Sequence, residues 1–170
     1  VKSRFFKIKS SLEGHLAFSR GLSESVSEAA TQNTTRGGFQ FDGMYRKEIT
    51  QNYAYAFGLR LAREVINTPV ASLINQRFLG VIEGRYYFDP IEKFYHAQVG
   101  LSLGVGFGQS RTESLGQASF GDALLLPSTK ISLSIPINTE YDMAFFGALE
   151  TLRLEEEFAD GNKQTTNLSN

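Results

Sequence analysis

Apolar and polar residues alternate with a period of two along most of this chain. In the first such segment, one parity carries the larger apolar side chains, Phe6, Ile8, Leu12, Leu16 and Phe18. The other parity carries charged and polar side chains, among them Lys7, Lys9, Glu13 and His15. Successive side chains of a β-strand point to opposite faces, whereas a helix would mix these two sets on each face. The pattern therefore predicts a strand with one apolar and one polar face.

The same alternation recurs in seven segments that are separated by turn residues. It predicts strands over residues 4–20, 37–49, 52–66, 76–89, 94–109, 124–137 and 140–157, followed in 158–170 by a loop and the possible start of a last strand. The connections between the segments are alternately short and long, so all tight turns lie at one end, as in an up-and-down meander. The sequence thus predicts an all-β fold: one antiparallel transmembrane β-barrel domain of about eight strands, seven of them clear.

The distribution of charge indicates which face is buried. In the central parts of the seven segments the apolar parity has no charged residue, while the other parity has five basic and five acidic residues. Basic residues on the apolar parity lie just past these central parts, at Arg4, Arg20, Lys47, Arg63 and Arg153. Charges that leave bulk water must be paired, so a balanced set suits a narrow, closed interior. We therefore predict that the apolar face contacts lipid and that the polar face lines the lumen. The predicted lumen network consists of Glu13, His15, Asp42, Arg60, Glu83, Arg85, Lys130 and Glu150.

The placement of the tyrosines is a second indication of a membrane. Every tyrosine lies within a few residues of a short connection, and none lies near a long one. Tyrosine has an apolar ring and a polar hydroxyl, which favours the boundary between lipid and water. The sequence predicts an interface girdle at the short-turn end, formed by Tyr45, Tyr53, Tyr55, Tyr86, Tyr95 and Tyr141. A second girdle at the opposite end is predicted from Phe18, Phe39, Phe41, Phe78 and Phe107.

Composition excludes several other classes of protein. A chain of 170 residues with a net charge of −1 offers no electrostatic attraction to nucleic acid. It has no cysteine, so neither disulfides nor a thiolate metal site can form. No stretch approaches the run of about 18 apolar residues that a membrane-spanning helix needs. We expect no cofactor and no metal.

In its girdled alternating segments, short turns, long connections and size, the chain resembles the small outer-membrane β-barrels of Gram-negative bacteria, the group of the OmpA transmembrane domain, OmpX and OmpW. The resemblance covers about residues 4–157 and is architectural. It implies an eight-stranded barrel with short periplasmic turns, long outer loops and both termini in the periplasm. It also implies an outer-membrane location after removal of a signal peptide. The implied partners are outer-membrane lipid, lipopolysaccharide and the assembly machinery.

An eighth strand is not evident from the alternation. Either residues 165–170 begin a strand that is cut off in this sequence, or one of the long connections contains a further strand. We favour the first alternative, because an open sheet edge in lipid would leave backbone polar groups unsatisfied.

The expected role is structural or surface-interacting rather than enzymatic. His15 and His96 both fall on the polar parity, and we interpret them as hydrogen-bonded lumen residues rather than catalytic groups or metal ligands. One alternative is a soluble, lipocalin-like barrel with its apolar parity around a small apolar ligand; the tyrosine placement and the absence of tryptophan argue against it. The other is a narrow channel gated by interior ion pairs, which the usually packed interior of small barrels disfavours.

Overall fold

The fold is described from a computed structural model, over residues 10–20, 23–26, 35–67, 72–88, 98–114, 117–137, 142–157, 161 and 163–169. These residues form ten β-strands: β1 (Ser10–Arg20), β2 (Ser23–Val26), β3 (Thr35–Glu48), β4 (Tyr53–Asn67), β5 (Ser72–Tyr87), β6 (Gln98–Ser114), β7 (Gln117–Pro136), β8 (Asp142–Leu149), β9 (Thr151–Glu157) and β10 (Lys163–Ser169). The described ranges contain no helix, and none therefore that is long and apolar enough to cross a membrane.

All ten strands belong to one antiparallel sheet. Its order is β1-β3-β4-β5-β6-β7-β9-β10-β2, and β8 pairs with β7 next to β9. Strands that follow each other in the chain pair with each other from β3 to β7, which is the up-and-down arrangement. Since only Glu150 separates β8 from β9, these two strands together form one interrupted neighbour of β7. The predicted all-β, up-and-down antiparallel fold class is confirmed at this level.

The sheet curls until its two ends approach each other. The strand at one end of the order, β2, follows the strand at the other end, β1, in the sequence. Consecutive Cα atoms are 3.8 Å apart, so Arg20 at the end of β1 and Ser23 at the start of β2 lie within about 11 Å. Among the described residues no hydrogen-bonded ladder joins β1 to β8, so hydrogen bonds do not close the sheet.

Several strands extend beyond their predicted bounds. Residues 115–116 alone separate β6 from β7 and residues 68–71 separate β4 from β5, where long connections were predicted, whereas residues 88–97 separate β5 from β6, where a tight turn was predicted. The prediction that all tight turns lie at one end is therefore wrong. Below, the short-turn end is the end with the β3–β4 turn, and the long-connection end is the opposite one. In the β6–β7 hairpin polar residues occupy both faces, so the alternation fades although the backbone ladder continues to the pair Ser114 and Gln117.

Both of the regions in which a further strand was predicted contain one. β10 lies near the end of the sequence and β2 lies in the first long connection, and β10 pairs with β9 on one side and with β2 on the other. The predicted strand residues 4–9, 89, 94–97 and 140–141 lie outside the described residues.

A bulge in β7 changes which of its side chains face inward. The alternation placed Leu125 on the outer face together with Ile131 and Leu133. In the structure Ser128 pairs with Gly104 and Leu125 with Gly106, so residues 126–127 oppose one residue of β6. The extra residue reverses the parity above the bulge, and Leu125 is buried inside while Leu124 is exposed. The second bulge residue is Pro127, which has no amide hydrogen to donate to a ladder.

The core lies on the inner, concave side of the sheet. One apolar cluster is contributed by six strands and consists of Met44, Ala56, Leu79, Val81, Ala123, Leu125, Leu152, Leu154 and Leu168. Close approach of β3 and β4 beside this cluster depends on Gly58, where a Cβ atom would overlap the backbone of Gly43 and Met44. The remaining interior positions are charged or polar, and they form the site described next.

Candidate functional site

The orientation of the strands puts charge inside and apolar side chains outside. Leu103 on β6 is 60% exposed, whereas Glu83 on the adjacent β5 is 1% exposed. Arg85 is also buried and Leu133 is exposed. The two parities of the strands therefore face the sides that the charge distribution predicted.

Arg60 lies at the centre of the interior. It is fully buried on β4, and its register partner on β3 is Asp42. The guanidinium donates two parallel hydrogen bonds to this carboxylate, from Nε to Oδ1 and from Nη2 to Oδ2, both 2.8 Å long. Nη1 donates a third, 2.7 Å long, to Glu150 Oε1 at the β8–β9 junction. Arg60 thus connects β4 to its neighbour and to the far side of the sheet.

Glu83 and Arg85 on β5 connect the other predicted residues. Lys130 Nζ donates to Glu83 Oε1 over 2.8 Å, and Arg85 Nη2 donates to Glu83 Oε2 over 3.0 Å. Arg85 Nη1 reaches further and donates to Glu13 Oε2 on β1 over 2.6 Å. His15 Nε2 lies 3.3 Å from the same oxygen of Glu13.

These contacts join the two halves into one group. Arg60 Nη2 lies 4.0 Å from Glu83 Oε1, so the contacts around Arg60 and those around Glu83 are continuous. All eight residues that the sequence analysis assigned to the lumen are therefore members of a single ionic network inside the sheet. Removing a charge from water is costly unless an opposite charge and hydrogen bonds replace the solvent, and here each carboxylate has a cationic neighbour.

Three further members of this network lie at its short-turn end and were not predicted from the sequence: Arg46, Glu48 and Tyr87. Arg46 Nη1 lies 3.1 Å from Glu13 Oε1 and donates over 3.2 Å to the hydroxyl of Tyr87. Arg46 Nη2 lies 3.8 Å from Glu48 Oε1. Arg46 and Glu48 continue the inward parity of Asp42. They would have been found by extending that parity to the end of the predicted strand.

A second ionic cluster lies towards the long-connection end and was also missed. Its centre is Glu64, which accepts hydrogen bonds from Arg36 Nη2 at 2.7 Å, Arg77 Nη1 at 2.9 Å and Ser19 Oγ at 3.0 Å. Glu64 and Arg77 are on the inward parity of predicted strands, so the alternation contained this signal. Arg36, by contrast, was assigned to a connection.

The predicted tyrosine girdle occupies the outer face at the short-turn end. The rings of Tyr53 and Tyr86 are 5.0 Å apart, and Phe88 lies 5.4 Å beyond Tyr86. Phe57 lies between Tyr45, at 5.3 Å, and Tyr55, at 6.4 Å. These six rings form two groups of three, which together we call the tyrosine band. Tyr95 and Tyr141, which were predicted to belong to the girdle, lie outside the described residues.

The outer face between the girdles is apolar. The described strands and turns expose 27 large apolar side chains. The predicted upper girdle is among them, since Phe18, Phe39, Phe41, Phe78 and Phe107 are all exposed. Soluble monomers rarely expose contiguous apolar patches larger than a few hundred Å².

The described interior contains groups that bind metals in other proteins, namely carboxylates and one histidine, His15. In the parts of the chain that are described, no three His, Cys, Asp or Glu residues are grouped so that they could hold a metal ion. His15 contacts a carboxylate and the ring of Phe146, whose centroid is 5.6 Å away. His96 lies outside the described residues. The ion pairs of the network join strands across the interior.

Comparisons with protein-family models, with curated proteins and with solved structures found no match to this chain.

Proposed function

We propose that this protein is a bacterial outer-membrane β-barrel with a structural or surface-interaction role. The observation that carries the proposal is the reversed polarity of the sheet, with paired charges inside and an apolar outer face. In water this arrangement would expose its apolar surface and bury its charges, both at a cost. In a bilayer the same outer face contacts the lipid chains, and the polar groups of the interior find their partners inside the barrel.

The tyrosine band supports the orientation of the barrel. It lies at the end with the β3–β4 turn, and aromatic girdles of transmembrane barrels lie at the interfaces of the lipid with water. At the opposite end the outer face of the β6–β7 hairpin becomes polar, with Arg111 and Asp122 exposed. This hairpin extends past the apolar part of the outer face. We assign contacts with molecules outside the cell to it.

The soluble, lipocalin-like alternative needs the opposite polarity. Its apolar parity would surround a ligand, and its charged parity would face water. Leu103 is exposed and Glu83 is buried, which is the opposite of what this alternative requires.

The first test is the behaviour of the purified chain with and without detergent. We expect it to need detergent or lipid to remain dispersed, because the outer apolar face would otherwise associate. We also expect the unheated protein to migrate differently from the boiled protein in a denaturing gel. A chain that is monodisperse without detergent, with the same migration before and after heating, would overturn the proposal.

The channel alternative is tested by single-channel recording in planar bilayers. We expect flat current traces, because side chains of the apolar cluster and of the ionic network project into the interior and contact each other across it. A large-pore porin added to the same bilayer serves as the control for the recording. Discrete current steps from pure, folded protein would replace the structural role with conduction.

A further inference from the structure

A gap lies between β1 and β8, two strands whose facing edges have no described partner. Among the described residues β1 pairs only with β3, and β8 pairs only with β7. A cavity of about 620 Å³ lies between their facing edges, lined by residues 16–20 of β1 and 144–150 around β8. We call this cavity the β1–β8 slot. Within the described part of the chain neither facing edge has a ladder partner, so its backbone donors and acceptors are open to pairing with another strand.

Side-chain exposure at the slot also indicates that a neighbour is absent. On β1 the outward side chains of Leu12 and Phe18 are 86% and 83% exposed. Phe41 and Phe57, which point outward from strands with partners on both sides, are each 48% exposed. The inward side chains differ in the same way, since those of β1 are half-buried while most of those on β4 and β5 are buried.

The register of β10 leads directly into the slot. β10 pairs with β9 from Lys163 opposite Glu157 to Ser169 opposite Thr151. Continued without change, the first position after Asn170 falls opposite Leu149 and the eighth opposite Asp142. These eight positions span β8 from end to end. On its other side β10 pairs with β2, which follows β1 in the chain, so the same continuation approaches the free edge of β1.

We infer that the β1–β8 slot is the seat of one further antiparallel β-strand of this chain, in line with β10. Leu168 is buried inside, so alternate positions of the continuation face inward, beginning opposite Ala148. The inward position opposite Phe146 must be small, because the rings of Phe146 and His15 already approach to 5.6 Å there. The outward positions, opposite Leu149, Gly147, Phe145 and Met143, continue the apolar outer face.

The test uses the 170-residue chain with an eight-residue extension after Asn170. The extension LSVGLSVT places apolar residues outward and small residues inward, with glycine opposite Phe146. Before the cysteine is introduced, the control SLGVSLTV has the same composition with the two parities exchanged. Because the chain has no cysteine, one introduced pair reports on register: Gly147→Cys and a cysteine replacing the third residue of either extension. A Cβ atom at Gly147 has no neighbour within 4 Å.

Directly opposed residues of antiparallel strands have Cα atoms about 4.5–5.5 Å apart, within disulfide range. We expect the first extension to form this disulfide in the folded band of the gel about ten times more than the control, since a change of parity turns the cysteine away. Equal cross-linking of the two extensions, no cross-linking, or loss of the folded band on adding LSVGLSVT would each overturn the inference. The disulfide is scored whether or not the protein needs detergent, so failure of the membrane proposal is distinguished from failure of this one.

Discussion

Replacing Arg60 with alanine is expected to lower the free energy of unfolding by about 3–5 kcal/mol, because it removes one side of a buried ion pair. Asp42 would lose both of its guanidinium hydrogen bonds, and Glu150 would lose a third. The carboxylates would then be buried without compensation or would have to take up protons. The measurement is equilibrium unfolding by urea or guanidinium in lipid vesicles, followed by the shift between folded and unfolded gel bands.

Arg63→Ala is the matched control for this prediction. Arg63 lies three residues further along β4 and points outward, where it is exposed. Surface ion pairs and exposed arginines contribute about 0–1 kcal/mol. If Arg60→Ala and Arg63→Ala had equal effects, the interior network would not contribute to stability in the way that its geometry indicates.

Replacing Leu59 with arginine is expected to destabilise the membrane-inserted protein by about 2–4 kcal/mol, the cost of an arginine on the lipid face near the bilayer midplane. Leu59 points outward near the middle of β4, so the guanidinium would have a long distance to reach to either interface. The same substitution on a protein in water would place a charge on an exposed surface and cost little. Unfolding in vesicles, as for Arg60→Ala, measures the difference.

Ile49→Arg is the control, because Ile49 is as exposed as Leu59, at 55% against 54%, but lies at the tight turn after β3. Near the interface the cost of an outward arginine falls to about 0–1 kcal/mol. A dependence on depth is what a bilayer predicts and what water does not. Equal, small effects at the two positions would contradict the membrane proposal.

Much of this arrangement is predictable from the sequence because strand alternation is a local property. The identity of Glu83 as an inward residue and Leu103 as an outward one follows from parity within each segment. The membership of Glu13 and Glu150 in the same network as Arg60 follows from the charge distribution, although their partners do not.

What could not be predicted depends on pairing between strands. The inward position of Leu125 results from a bulge that exists only because β7 is matched against β6. The extension of the β6–β7 hairpin is maintained by its backbone ladder, where the side-chain pattern no longer alternates. Arg36 was missed because it lies in the added part of β3, beyond the predicted start of that strand. The β1–β8 slot is a property of the whole curled sheet and has no counterpart in any single segment.

The pairing of β10 with β2 has a kinetic consequence. Most ladders of this sheet join consecutive strands, so each can form soon after its two strands are available. The pairing of Thr166 with Val26 instead joins positions about 140 residues apart, and β10–β2 has the largest loop-closure entropy of the described ladders. The curled sheet should therefore assemble as a growing ribbon of hairpins. Union of its first and last strands then becomes the slow, concluding step, and a chain arrested before it would present both margins of the ribbon to its surroundings.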